Sequence, residues 1–182
     1  MSFFSLPGFR RRAPIQPANA SSRHPLRYPL DPAPRVAVLS LDLGSGPNLL
    51  SLPGWTVKQL ESARPQALAG PLRDMEEVAS LRELGILRLK SLVYPLVVFT
   101  LETDARLSEA DHDRLWRWFR LPVFEQVRAA DGRLLAWESE ARDGLHLAED
   151  APASLYDLDL CQDVPSIVSR ASAVSLTRVA AE

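Results

Sequence analysis

Two glutamates and a histidine are the residues of this chain whose types and spacing could do chemistry. In LPVFEQVRAADGRLLAWESEARDGLHL, residues 121–147, Glu125 and Glu138 flank an Asp131-Gly132 dipeptide, and His146 follows a second turn at Arg142-Asp143-Gly144. Asp-Gly suits a two-residue type I′ hairpin turn, whose central positions need positive φ. That turn predicts Glu125 directly opposite Glu138. Facing carboxylates repel. They are tolerable on a solvated rim, around a cation, or as an acid–base pair with pKa values pushed apart. Glu125, Glu138 and His146 are therefore the candidate ligand or acid–base residues, with no catalytic assignment made.

Other reactive types are poorly placed. His24, His112 and His146 share no metal-ligand spacing, and Cys161 has no cysteine partner, so no metal site is expected. Asp159 and Asp163 beside Cys161 would raise a thiol pKa, which points to an inert thiol. The text LDLGSGPN, residues 41–48, lacks the Lys-Ser/Thr of a phosphate loop and the third glycine of a dinucleotide fingerprint, so it reads as a strand-to-loop turn. No Gly-x-Ser-x-Gly elbow is present. No cofactor is expected.

The segment ESEARDGLHLAED, residues 138–150, resembles a signature of phenylacetate–CoA ligases and related adenylate-forming enzymes. That signature has a Glu-Cys pair, then Gly-Leu-His-Ile/Val and an acidic pair. Glu138 stands at the Glu, Ser139 at the Cys, and Gly144-Leu145-His146-Leu147 at the rest. Phe124-Glu125-Gln126 resembles the opening of the family's aromatic-Glu-x-Tyr-Gly-x-Thr-Glu motif. The resemblance covers about residues 115–160. Val127-Arg128 replaces Tyr-Gly, and no Thr-Glu, phosphate loop or C-terminal lysine counterpart occurs in the 182 residues. The resemblance thus implies a relative that keeps a β-framework without the adenylation chemistry.

The elements that must position these residues follow from periodicity. Arg35–Leu41 reads as a strand. Thr56 caps a short helix to Ala63, and Pro71–Leu84 carries an apolar helical stripe ending at Gly85. Ser91–Leu101 is almost wholly apolar, as in a strand covered on both faces, with Pro95 arguing for an edge or a bulge. Ser108, with Asp111 three residues on, caps a helix whose Leu115, Trp118 and Phe119 share a face. The hairpin follows, then Leu145–Leu147. Leu155–Leu160 alternates as an edge strand would. The fold class is α/β or α+β: a single mixed-sheet domain with a central strand–helix–strand–hairpin unit, over residues 35–165. Residues 166–182 form a last strand or tail.

Residues 1–34 hold seven of the fifteen prolines, five arginines and one acid. X-Pro steps disfavour helix and ladder alike. This proline-rich N-terminal arm is expected to bind a protein partner through Phe3, Phe4, Phe9, Arg10, Arg11, Arg12 and Tyr28. An organelle transit segment is the other reading of an Arg-containing, acid-poor start. A net charge of −2 gives no reason to expect nucleic acid or an acidic membrane as partner of the whole domain. No apolar run is long enough to span a bilayer, and one cysteine fits a reducing, cytoplasmic setting. The functional expectation is a non-catalytic accessory or interaction protein. The alternatives are an acyl- or aryl-group-binding subunit of a split adenylate-forming ligase, and a small enzyme using Glu125, Glu138 and His146.

Overall fold

Leu96 to Thr100 are all buried, because the strand they form has a neighbour on each side and a packed layer on each face. The computed structural model describes residues 26–149, 151–152 and 155. In chain order the elements are β1 (Val36–Leu39), β2 (Leu49–Leu52), α1 (Val57–Ala63), β3 (Ala67–Pro71), α2 (Leu72–Glu83), β4 (Leu96–Leu101), α3 (Glu109–Phe119), β5 (Val123–Arg128), β6 (Leu134–Glu138) and β7 (Leu145–Leu147). They build an α/β domain on a seven-stranded mixed sheet of order β2-β1-β3-β4-β5-β6-β7. Neighbours from β2 to β5 are parallel, and β6 and β7 are added antiparallel.

The three helices cross over between parallel strands that advance in one direction along the sheet, so right-handed connections place them on one face. Leu60 of α1, Met75, Val78 and Ala79 of α2, and Leu115 and Phe119 of α3 pack there on Ala37, Leu39, Leu68, Leu96, Val98 and Val123. The step from β1 to β2 runs the other way. Its loop crosses the opposite face, where Leu41 and Leu43 join Val36, Val38, Ala69, Val97 and Phe99. Within that loop Gly46 and Leu49 exchange backbone hydrogen bonds of 3.1 and 3.2 Å.

Several helix boundaries follow the expected chemistry. The Thr56 Oγ1 accepts from the Gln59 N–H at 3.3 Å, and Ser108 and Asp111 form both halves of a capping box. Gly85, at φ +70, ends α2; the Ile86 N–H donates to the Leu81 carbonyl and the Gly85 N–H to Arg82, a Schellman closure.

Other expectations need correction. β4 begins only at Leu96 and lies between β3 and β5, so Pro95 marks neither an edge nor a bulge. It precedes the ladder, where its missing N–H is not needed, and its carbonyl accepts the Tyr28 hydroxyl at 2.8 Å. The turn is not a two-residue type I′ turn, since Gly132 has φ +88 and Asp131 is not in the positive region. The Ala129 N–H donates to Arg133 and the Gly132 N–H to Ala129, which makes a three-residue loop ending in a left-handed glycine. Leu135 is then an extra residue opposite Val127 and Arg128. That bulge restores the Gln126–Trp137 and Val127–Ala136 pairing a two-residue turn would have given.

The arm expected over 1–34 divides. Residues 1–25, with Phe3, Phe4, Phe9 and Arg10 to Arg12, lie outside the described residues. Leu26 and Tyr28 pack on the helix-free face of the sheet, so the domain reaches back to residue 26 rather than 35. Cys161, residues 156–160 of the expected edge strand and the segment 166–182 also lie outside the described residues. β2 and β3 were not legible as strands.

Candidate functional site

Glu125 sits in the middle of β5 with its side chain on the helix-covered face, and it is 2 % exposed. Its Oε1 accepts from Thr100 Oγ1 at 2.6 Å and from Arg106 Nε at 2.7 Å. Its Oε2 accepts from Arg106 Nη2 at 2.7 Å. The Leu107 N–H lies at 3.4 Å from Oε1. Two parallel bonds from one guanidinium form the strongest carboxylate pairing a side chain offers. Both oxygens of this carboxylate are thus held by donors, Oε1 by up to three and Oε2 by one.

Glu138 does lie across from Glu125, but the two carboxylates are used separately. The Glu138 Oε2 accepts the Glu125 backbone N–H at 2.8 Å, while Glu125 turns its own carboxylate to Arg106. The repulsion expected of a facing pair is thereby relieved by a guanidinium on one side and a peptide N–H on the other.

His146 is not with them. It pairs with Trp137, and Glu138 pairs with Leu145; alternation along a strand then puts His146 on the opposite face from Glu138. Its ring stacks on Trp137 with centroids 5.7 Å apart, and its Nε2 is 2.9 Å from Asp143 Oδ1. Ser139 Oγ donates to the same Oδ1 at 2.8 Å. The Ser139 hydroxyl, and then His146, hold the Asp143 carboxyl below the usual aspartate range. A nucleophilic triad sets the base between hydroxyl and acid. Here the acid stands between the other two, which is the order of a turn rather than of a triad.

On the helix-free face, sequence reasoning missed a second polar group. The Arg27 guanidinium lies 4.0 Å from the Trp137 ring centroid, and the Arg27 carbonyl accepts from Gln126 Nε2. Gln126 Oε1 in turn accepts from Arg128 Nη2 at 2.9 Å. Arg128 is buried against Phe99, 4.5 Å from its centroid, and donates to the Gly132 carbonyl. Burial pushes its guanidinium down to about 10, which leaves it charged at neutral pH. Burial, and then Tyr94, push the Tyr28 phenol well up. Tyr28, expected to meet a partner, is thus a member of the fold.

Among the described residues no group of three or more His, Cys, Asp or Glu is disposed to hold a metal. The surface of the described residues includes two recesses. One of about 620 Å³ lies between β2 and α1, lined by Leu50, Leu52, Thr56 and Gln59 among others. The second, of about 470 Å³, is lined by Glu61, Arg64, Arg88, Leu89, Lys90 and Ser91. Neither includes Glu125, Glu138 or His146.

No family model matches the chain, and no curated protein does. Among solved structures it is similar to an open conformation of 2-hydroxyisobutyryl-CoA ligase in complex with 2-HIB-AMP and CoA. That similarity has 14 % identity and a TM-score of 0.43, over 62 % of this chain and 30 % of that one. The chain therefore spans under a third of that ligase.

Proposed function

We propose that this chain is a non-catalytic accessory protein that acts by binding another protein. The observation that carries the reading is the commitment of Glu125. The carboxylate best placed for acid–base work is locked by Arg106 and Thr100, and Glu138 and His146 stand on different faces of the sheet. The N-terminal arm supplies the contact, with Phe3, Phe4, Phe9 and Arg10 to Arg12 as its anchors. A proline-stiffened segment with a few apolar anchors loses less entropy on docking than a flexible one.

The test is affinity purification of the tagged full-length chain and of a form lacking residues 1–25, each followed by mass spectrometry. A partner brought down by the full chain and lost with the arm supports the reading. Acid-dependent release of pyrophosphate from ATP by the purified chain overturns it, and would favour the split-ligase alternative.

A further inference from the structure

The chain's average charge hides an uneven distribution. The N-terminal ends of the parallel strands and the C-terminal ends of α1 and α2 share one end of the domain. Hydrogen bonds hold the 84–95 connection against that end. The Val93 and Tyr94 N–H groups donate to the Gln66 carbonyl at 3.1 and 3.0 Å. The Arg88 N–H donates to Glu61 Oε1 at 2.9 Å, and Ser91 Oγ to the Pro65 carbonyl at 2.7 Å.

Leu87 and Leu89 of this connection turn inward and Leu92 packs against the same core, while Leu84, Ile86, Val93 and Tyr94 turn out. Leu84 is 72 % exposed, Ile86 54 %, Val93 61 % and Tyr94 36 %. They are four of the seven exposed large hydrophobic residues among those described. Between them stand Arg88 and Lys90, which line the 470 Å³ recess together with Arg64. Among the described residues none of these three cations is ion-paired. Glu61 is the acid of the recess, and its Oε1 already accepts the Arg88 N–H. Arg35 and Arg120 add positive charge at the same end, and Glu83 opposes it.

Cations at helix C-termini complement the helix dipoles, which accounts for Arg64 beside the end of α1. It does not account for the exposed apolar side chains. A protein interface gathers its apolar residues into a contiguous, charge-depleted core. Two separate exposed apolar pairs, Leu84/Ile86 and Val93/Tyr94, with the unpaired cations Arg88 and Lys90 between them suit a different solvent boundary. Apolar tips can enter the headgroup–acyl region of a bilayer while Lys and Arg meet anionic headgroups.

We propose that this end of the domain, centred on residues 84–95, is a docking surface for an anionic phospholipid bilayer. No helix among the described residues is long and apolar enough to cross a membrane, so the attachment is peripheral. The proposal is independent of the protein-binding role given to the N-terminal arm.

Co-sedimentation of the full-length chain with vesicles tests it. One set is about one third phosphatidylserine in phosphatidylcholine, the other phosphatidylcholine alone. Binding to the anionic vesicles is expected, with little to the neutral ones and a fall as salt is raised. Ile86→Asp/Val93→Asp and Arg88→Glu/Lys90→Glu should each lower the bound fraction about tenfold. Arg88→Gln/Lys90→Gln serves as the milder charge variant should the reversal disturb Glu61, and circular dichroism checks that each remains folded. The arm also carries arginines and phenylalanines, so the variants decide the location. Folded variants that bind like the parent overturn the proposal, as does equal binding to both vesicle types or none to either.

Discussion

Arg106 meets Glu125 fork to fork, Nε on Oε1 and Nη2 on Oε2, both at 2.7 Å. The carboxylate side chain is 3 % exposed and the guanidinium 28 %. Removing one partner of such a pair leaves a desolvated charge behind, whereas removing both does not. Arg106→Leu should therefore destabilise the fold by about 1–3 kcal/mol. Arg106→Leu/Glu125→Leu should lie closer to the parent than Arg106→Leu alone. Urea midpoints of the parent, of Arg106→Leu and Glu125→Leu singly, and of the double variant decide it. A double variant as weak as the sum of the singles would show that the two side chains act independently.

Gly132, at φ +88, closes the hairpin loop. A β-branched residue there is strained, so Gly132→Val should lose about 1–3 kcal/mol. Gly132→Asn should lose less, because asparagine tolerates the left-handed region. Thermal melts of the two variants provide the comparison.

Gly70 of β3 faces Leu39 of β1 so closely that an added Cβ would lie 2.9 Å from the Leu39 Cβ and 3.3 Å from its carbonyl oxygen. Neither atom can swing aside without moving the strand. Gly70→Ala should cost about 1–3 kcal/mol as overpacking, read from denaturant unfolding. A neutral effect would mean that β1 and β3 can separate freely.

Tyr28 ties residues 26–34 to the sheet. Tyr28→Phe should cost about 1 kcal/mol for its hydrogen bond to the Pro95 carbonyl, and deletion of residues 1–34 should cost clearly more. The folded phenol has its pKa raised, so its stabilisation is fully present below the unfolded value and is lost as pH rises past about 10. Stability should decline on the alkaline side in the parent and decline less in Tyr28→Phe, as followed by melts across that range.

Ser108 caps α3 and holds the Asp111 carboxyl below its ordinary value, first through its hydroxyl and then through its backbone N–H. A depressed carboxylate contributes stability above the unfolded pKa and loses it as pH falls through the folded one. Ser108→Ala should cost about 1 kcal/mol at neutral pH. The penalty should shrink in acid, where Asp111 is protonated in parent and variant alike.

Legibility in the sequence followed the strength of local signals. The caps at Thr56 and Ser108 were readable because each needs only a short polar side chain at a fixed spacing. The Glu125–Glu138 adjacency follows from a two-residue turn and holds with a three-residue one, because the bulge at Leu135 takes up the one-residue shift. β3 was hidden because Gly70 is small for a tertiary reason, the approach of Leu39, and Ala67 and Ala69 carry no β-branched signal. β2 was hidden behind Gly44, Gly46 and Pro47, which announce only a loop. Arg106 could not be singled out, since it lies in an irregular link with no periodicity to aim it at β5. Nor could Tyr28 be placed, because the prolines around it describe an extended chain without saying what it lies on.

The bond pair between Gly46 and Leu49 has a consequence for the protein in concentrated solution. β2 is an outer strand of the sheet as described, and such a strand offers N–H and C=O groups to any passing chain. In a parallel ladder alternate residues point their backbone groups away from the partner strand. Leu49 is such a residue, and Gly46 already occupies both of its groups. Ser51 is the next, and its side chain ties down the same loop by donating to the Gly44 carbonyl at 2.6 Å. The template that β2 leaves for edge-to-edge growth is thus about one residue long, too short to seed a stack of strands on that side.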